Sequence, residues 1–296
     1  MDERTQVEVH VVNAFVDGDH GGNPAGVVVD ANRLSAAQKL KVAQRVGLSE
    51  TAFVSASVTA TLKLEFYTPS RQIAHCGHAT IATFSLLRQL GMLREGKHSK
   101  ETIDGNRDVI VESDRAFMEQ SAPSFKNLDR LRDGHARVLS SLGLSDRGLL
   151  AGVAPCIVDT GNSFLLVAVD TEATLREVRP DFARIEEVCA ALELVGYYPF
   201  SLATKRPGRQ AGARMFAPWY GIPEEAGTGM AAGPLACFLH EVLGIRHPSF
   251  LIEQGWLMQP PSPSVITVNL TLEQSSIVGL MAGGRAKSMR TFNVEV

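Results

Sequence analysis

Glu50 has the side chain and the setting that proton transfer would need. It sits in Gly47-Leu48-Ser49-Glu50-Thr51-Ala52-Phe53, between a predicted helix end and a predicted strand. A carboxyl group wedged into a mostly apolar turn is expected to have a raised pKa, which suits acid/base work near neutral pH. The competing reading is a surface carboxylate at the start of a strand. His78 follows Gly77 at the predicted first turn of an apolar helix. A neutral imidazole there can hydrogen-bond a substrate, and the helix N-terminus discourages its protonation. The alternative is a satisfied structural histidine. His75 could join His78 on a metal ion only if the loop curls back, and the spacing suggests no third ligand, so no metal site is expected.

Cys76 precedes the same glycine. A thiol at a helix N-terminus is expected to have a lowered pKa and to be able to move protons, although a small packing residue also fits. A two-base racemase would need a second thiol at the matching place later in the chain. There the sequence reads Glu225-Ala226-Gly227-Thr228-Gly229, and Cys237 falls deep in a predicted helix. Glu224 and Glu225 form an acidic pair at the mouth of that second helix, suited either to a ligand or to the helix dipole.

Two distant stretches would position these residues, and they run in parallel. Phe66-Tyr67-Thr68-Pro69 leads to Gly77-His78-Ala79-Thr80, and Met215-Phe216-Ala217-Pro218 leads to Gly229-Met230-Ala231-Ala232. Each predicts a strand, a short loop, and the glycine-led start of a helix that is apolar nearly all round. Such a helix belongs inside a domain. Two helix N-termini of this kind are expected to face one small anion from opposite sides.

The parallel extends upstream. Val11-Val12-Asn13-Ala14-Phe15 leads to the Gly22-Asn23 turn and an apolar run ending at Asp30, and Ile157-Val158-Asp159-Thr160 leads to Gly161-Asn162 and a run ending at Asp170. Bounded apolar runs of this length read as buried strands. A helical pattern follows each, Ser35 to Val46 with a capping-box signal at Ser35 and Gln38, and roughly Asp181 to Leu194. Short strands come next, Thr51-Ala52-Phe53-Val54 and Tyr198-Pro199-Phe200-Ser201-Leu202. The order of elements predicts an internally duplicated pair of α/β domains. Their seam is expected near residues 119–124, after a strand at residues 108–112 that follows a hairpin turn at residues 104–107.

The bulk numbers agree with this reading. The chain has 296 residues, 45% of them hydrophobic, and a formal net charge of −3. That length suggests two domains, and the charge gives no basic footprint for nucleic acid. The start, Met1-Asp2-Glu3-Arg4-Thr5-Gln6, is too polar for a secretory signal, and no apolar run is long enough to span a membrane as a helix. Cys76, Cys156, Cys189 and Cys237 are widely spaced, so neither a zinc site nor a disulfide framework is expected, and a cytoplasmic location fits.

Five ordered motifs resemble the PhzF family, the phenazine biosynthesis-like isomerases of the diaminopimelate epimerase-like superfamily. They are Gly22-Asn23-Pro24-Ala25-Gly26, Leu48-Ser49-Glu50-Thr51-Ala52-Phe53, Tyr67-Thr68-Pro69, Cys76-Gly77-His78-Ala79-Thr80, and the stretch from Phe216 to Gly229. The resemblance implies an α/β (α+β) fold of two pseudo-symmetric domains, each a barrel-like sheet around a central helix, with the active site in the cleft between them. It places residues 1–117 in the first domain, rejoined by a strand at about 286–296, and 118–285 in the second. A homodimer is implied, using no organic cofactor or metal, with a small carboxylate as substrate. By match to the family's motifs, Glu50 looks like the proton shuttle and His78 like a substrate-contacting histidine. Gly77 and Gly229 look like the positions whose neighbouring backbone N–H groups bind a carboxylate.

The second half departs from the family's usual E-D-P-A-T-G-S-A. Here Glu225 stands for the substrate-contacting aspartate and Met230 for a serine hydroxyl that could donate a hydrogen bond. Losing such a partner relaxes discrimination for a polar substrate, so a different and less polar acid is expected. A non-catalytic binding member of the family and a cofactor-independent amino-acid racemase are the alternatives in view.

Overall fold

The protein is described by a computed structural model covering residues 5–296; the start at Met1–Arg4 lies outside the described residues. In chain order the first elements are β1 (Gln6–Ala14), β2 (Asn23–Val28), α1 (Ala36–Val46), β3 (Thr51–Ser55), β4 (Leu62–Tyr67), β5 (Gln72–Ile73), α2 (Gly77–Gln89), β6 (Gly96–Thr102), β7 (Gly105–Glu112) and β8 (Arg115–Ser121). They are followed by β9 (Ser124–Lys126), α3 (Gly134–Leu142), β10 (Cys156–Asp159), β11 (Ser163–Ala168), α4 (Glu172–Glu177), α5 (Phe182–Leu192), β12 (Gly196–Ser201) and β13 (Ala211–Ala213). The last are α6 (Gly229–Glu241), β14 (Ser249–Gln254), β15 (Ser264–Glu273) and β16 (Ser276–Glu295). The chain divides into two compact units, residues up to Glu119 with Gly283–Val296, and Gln120–Ala282.

In the first unit the sheet runs β1-β2-β3-β4-β6-β7-β8, and β16 neighbours both β8 and β1, so eight strands close on themselves. The helix α2 packs against β1, β2, β3 and β7, with eleven of its thirteen residues buried. An all-apolar helix meets its need for burial in this way. A separate cluster packs α1, through Val42 and Ala43, onto Val7, Val9, Phe53 and Tyr67. Ser35 caps α1 with the full capping box to Gln38, as the sequence predicts, and Gly47 ends the helix in the left-handed conformation.

The second unit repeats the plan. Its strands follow the order β15-β14-β13-β12-β11-β10-β9, and α6 packs against β10, β11, β14 and β15 with eleven of thirteen residues buried. A layer of α3 and α5, through Val138, Leu142, Ile185 and Val188, covers Ile157, Leu165, Val167 and Tyr197.

One predicted element differs. Met215-Phe216-Ala217 forms no strand of its own; Phe216 makes an isolated bridge to Tyr197, Ala217 another to Ile222, and Pro218–Tyr220 is a 3-10 turn. The proline at Pro218 has no N–H for a ladder, and the chain turns there instead. All four cysteines are free thiols.

Candidate active site

Glu50 occupies the connection between the C-cap of α1 and the first residue of β3. Its carbonyl accepts a hydrogen bond from the N–H of Gly26, 3.0 Å away on β2. Glycine is needed at that point, because a Cβ on Gly26 would meet Thr51 Oγ1 at 2.8 Å. The Gly22-Asn23-Pro24-Ala25-Gly26 motif thus lets β2 approach β3 closely enough to fix the Glu50 backbone.

Only 6% of Glu50 is exposed, and its Oε2 lies 3.3 Å from Nε2 of His78, itself 4% exposed. On the other side of the same imidazole, Cys76 Sγ lies 3.5 Å from Nδ1. The imidazole stands between the two, with Nδ1 toward the thiol and Nε2 toward the carboxylate. Glu50, Cys76 and His78 therefore meet in one buried cluster at the start of α2.

The structure differs from two expectations here. Burial raises the Cys76 thiol pKa above its ordinary value, outweighing the nearby imidazole, where a helix N-terminus predicts a lowered one. The third metal-ligand type that spacing did not suggest is also present: ligand atoms of Glu50, Cys76 and His78 lie within 4.8 Å of one another, close enough to offer three donors to one cation. His75 is not part of that group and turns toward Lys100 instead.

The helix start itself is braced by Thr80, whose hydroxyl donates to the Cys76 carbonyl at 2.7 Å. Thr80 in turn accepts from Nζ of Lys100, also at 2.7 Å. Lys100 is wholly buried on β6, and sequence reading missed it because a Lys-Glu-Thr run looks solvent-exposed.

In the second unit the loop before α6 is tied down by Gln254 at the end of β14. Its Oε1 accepts from Tyr198 OH at 2.8 Å and from the Thr228 N–H at 3.1 Å. Its Nε2 donates to the Glu225 carbonyl at 2.7 Å and to Thr228 Oγ1 at 3.0 Å. The Thr228 hydroxyl donates to the Glu225 carboxylate, and Thr228 is the N-cap residue preceding Gly229. Gly255 is required beside this loop, since its φ is +78° and a Cβ would meet Ala226 O at 2.7 Å and Ser262 O at 2.0 Å. Gln254 and Tyr198 were not legible as site residues, although Glu253-Gln254 closing an apolar strand is a signal of buried polarity.

The acidic pair separates into two roles. Glu224 is held bidentately by Arg214 at 2.8 and 2.9 Å, and Arg214 also donates to the carbonyls of Leu175 and Val178. That makes Glu224 a structural tie, as Arg–carboxylate forks commonly are. Met230 is half-buried, and its sulfur accepts from Asn162 Nδ2 at 3.6 Å. A small pocket in this unit, lined by Glu172, Lys205, Glu253, Gln254, Trp256 and Leu257, contains none of the sequence-predicted site residues.

Known proteins resemble this chain in sequence and fold. The family model for phenazine biosynthesis-like proteins matches residues 12–289. The chain belongs to the PhzF family. It is 30% identical to an uncharacterized isomerase, YddE, of Escherichia coli K12, over 80% of each chain. It is 29% identical to the trans-2,3-dihydro-3-hydroxyanthranilate isomerase of Pseudomonas chlororaphis, over 77% of this chain and 78% of that one. A PhzF-family crystal structure from Bacillus anthracis superimposes with a TM-score of 0.89 at 25% identity, covering 99% of this chain and all of that one. Both of these curated relatives are named isomerases, and this PhzF-family chain is an isomerase.

Proposed function

We propose that this PhzF-family isomerase moves a proton between two carbons of a small carboxylic acid, with Glu50 as the acid/base. The reading rests above all on the buried contact between Glu50 Oε2 and His78 Nε2 at 3.3 Å, at the start of α2. A carboxylate held there can accept a proton from an acidic C–H and return it elsewhere on the same substrate, so the shift needs no redox partner. His78, with Nε2 beside Glu50 and Nδ1 beside the Cys76 thiol, orients the carboxylate for that transfer, and the family resemblance makes it a substrate contact as well. The substrate's own carboxylate fits the positive end of the α2 dipole at Gly77 and His78.

Glu225, Gly229 and Met230 enter the reading through the family resemblance. Glu225 accepts from Thr228, and Met230 offers a thioether where the family offers a hydroxyl. An acid less polar at that end than a dihydro-hydroxyanthranilate suits them. A cytoplasmic homodimer is part of the same reading; no described helix is long and apolar enough to cross a membrane.

The test is a product screen by NMR across small unsaturated and cyclic carboxylic acids with wild-type protein and Glu50→Gln. Turnover of one acid, reduced about 100-fold or more by the amide, is expected for loss of a general base. Equal turnover by both proteins would remove Glu50 from the mechanism.

A further inference from the structure

Lys100 is 0% exposed, yet among the described residues no carboxylate lies within ion-pair distance of its Nζ. Its partners are the Thr80 hydroxyl at 2.7 Å, Nδ1 of His75 at 3.2 Å, and the face of Phe66 with its ring centre at 5.2 Å. Thr80 passes the connection on, donating at 2.7 Å to the Cys76 carbonyl that begins α2. A neutral amine satisfies Thr80 and His75 with its two N–H groups, and an ammonium turns its third toward the aromatic face. Both protonation states are therefore accommodated in one fixed geometry.

The charges around this amine are few. His75 is held neutral, its pKa lowered to about 3 by burial and by Lys100 and Arg107. Cys76 lies toward the site, Arg107 stands opposite Lys100 in the β6–β7 ladder, and Asp104 is in the turn between those strands. Thr80 on α2 and Phe66 on β4 contribute no charge.

We propose that Lys100 is a positioning residue that takes up a proton when a carboxylate binds at the start of α2, supplying the buried counter-charge from beneath the helix. The inference rests on the carboxylate-binding reading above. A new negative charge at the helix start, to whose Cys76 carbonyl the buried amine is joined through Thr80, favours the amine's charged form. Burial lowers the amine pKa to about 7 in the free protein, so the proton is available to be gained near neutral pH. Affinity for the anion is consequently highest at low pH and falls as pH rises above about 7, while the carboxylate itself stays ionised throughout.

Isothermal titration calorimetry with 3-hydroxyanthranilate and with benzoate, run in HEPES and in Tris, reads the protons gained from the difference in heats. Wild-type protein is expected to take up about half a proton per site at about pH 7.5, for a rise in pKa of about one unit. Lys100→Met should lose the uptake and bind about three- to tenfold more weakly. Lys100→Arg, permanently charged, should also take up no proton but bind within about threefold of wild type, with affinity flat in pH. Thermal melting confirms that both variants fold. Wild-type binding without proton uptake, or uptake that persists in Lys100→Met, overturns the inference alone. If neither acid binds wild-type protein, the carboxylate-binding reading falls and this inference with it.

Discussion

At Glu50 the chain places a carboxylate against an imidazole in a setting almost closed to solvent, with a thiol on the imidazole's far side. The thiol is the member most easily misread. Its pKa is raised by burial, so it stays protonated and acts as a hydrogen-bond donor to His78 rather than as a base. Cys76→Ser, which keeps a donor at that place, is therefore expected to retain activity within about tenfold, measured on whichever acid the screen identifies. A collapse comparable to that of Glu50→Gln would make the thiol a second proton carrier. Lys100 yields a prediction on stability. Its pKa is about 7 in the fold against an ordinary 10.5, so between those values the unfolded chain holds the extra proton. Stability rises with pH across that window, and the penalty is fully present below pH 7. Lys100→Met should stabilise the protein by roughly 2–4 kcal/mol near neutral pH and flatten that rise, as read by urea unfolding. None of this was legible in the sequence, where a lone lysine beside Glu101 reads as surface.

At the scale of elements, the glycine-led helices were the most legible features, because eleven of thirteen residues in each are buried and the sequence shows no polar face. Ser35 with Gln38 gave the start of α1 to the residue, since a capping box is a local device that needs no tertiary help. What holds the second helix start was less readable. Gln254 reaches it from β14, far along the chain, and answers Tyr198, Thr228 and Glu225 at once. Gln254→Leu should strand the buried Tyr198 hydroxyl and the Thr228 N–H, costing roughly 2–4 kcal/mol in chemical denaturation. Gln254→Glu, able to accept but not to donate, should recover only part of that loss. A loss under about 0.5 kcal/mol in Gln254→Leu would mean the network is satisfied some other way.

For the whole molecule, the repeated order of strand, helix, strand and inner helix was visible because each copy carries its own turn residues and its own apolar helix. Of the long strand β16 only the last part was expected, the strand at about 286–296 that the resemblance returns to the first domain. Its Met281-Ala282-Gly283-Gly284-Arg285-Ala286-Lys287 stretch has little strand propensity, and it is extended because β8 and β1 neighbour it in the sheet. The motifs lead to a carboxylic acid and to Glu50, and the departures at Glu225 and Met230 bear on which acid. The most direct measurement of the central claim is deuterium wash-in. The acid found to turn over is incubated in D2O with wild-type protein, Glu50→Asp and Glu50→Gln, and its carbon-bound protons are followed by NMR. The account predicts deuterium at the carbon that gains the proton in wild type, entering as the proton held on Glu50 exchanges with D2O between removal and return, slower incorporation with the shortened carboxylate, and about 100-fold less with the amide. Wild-type incorporation undiminished in Glu50→Gln would contradict it.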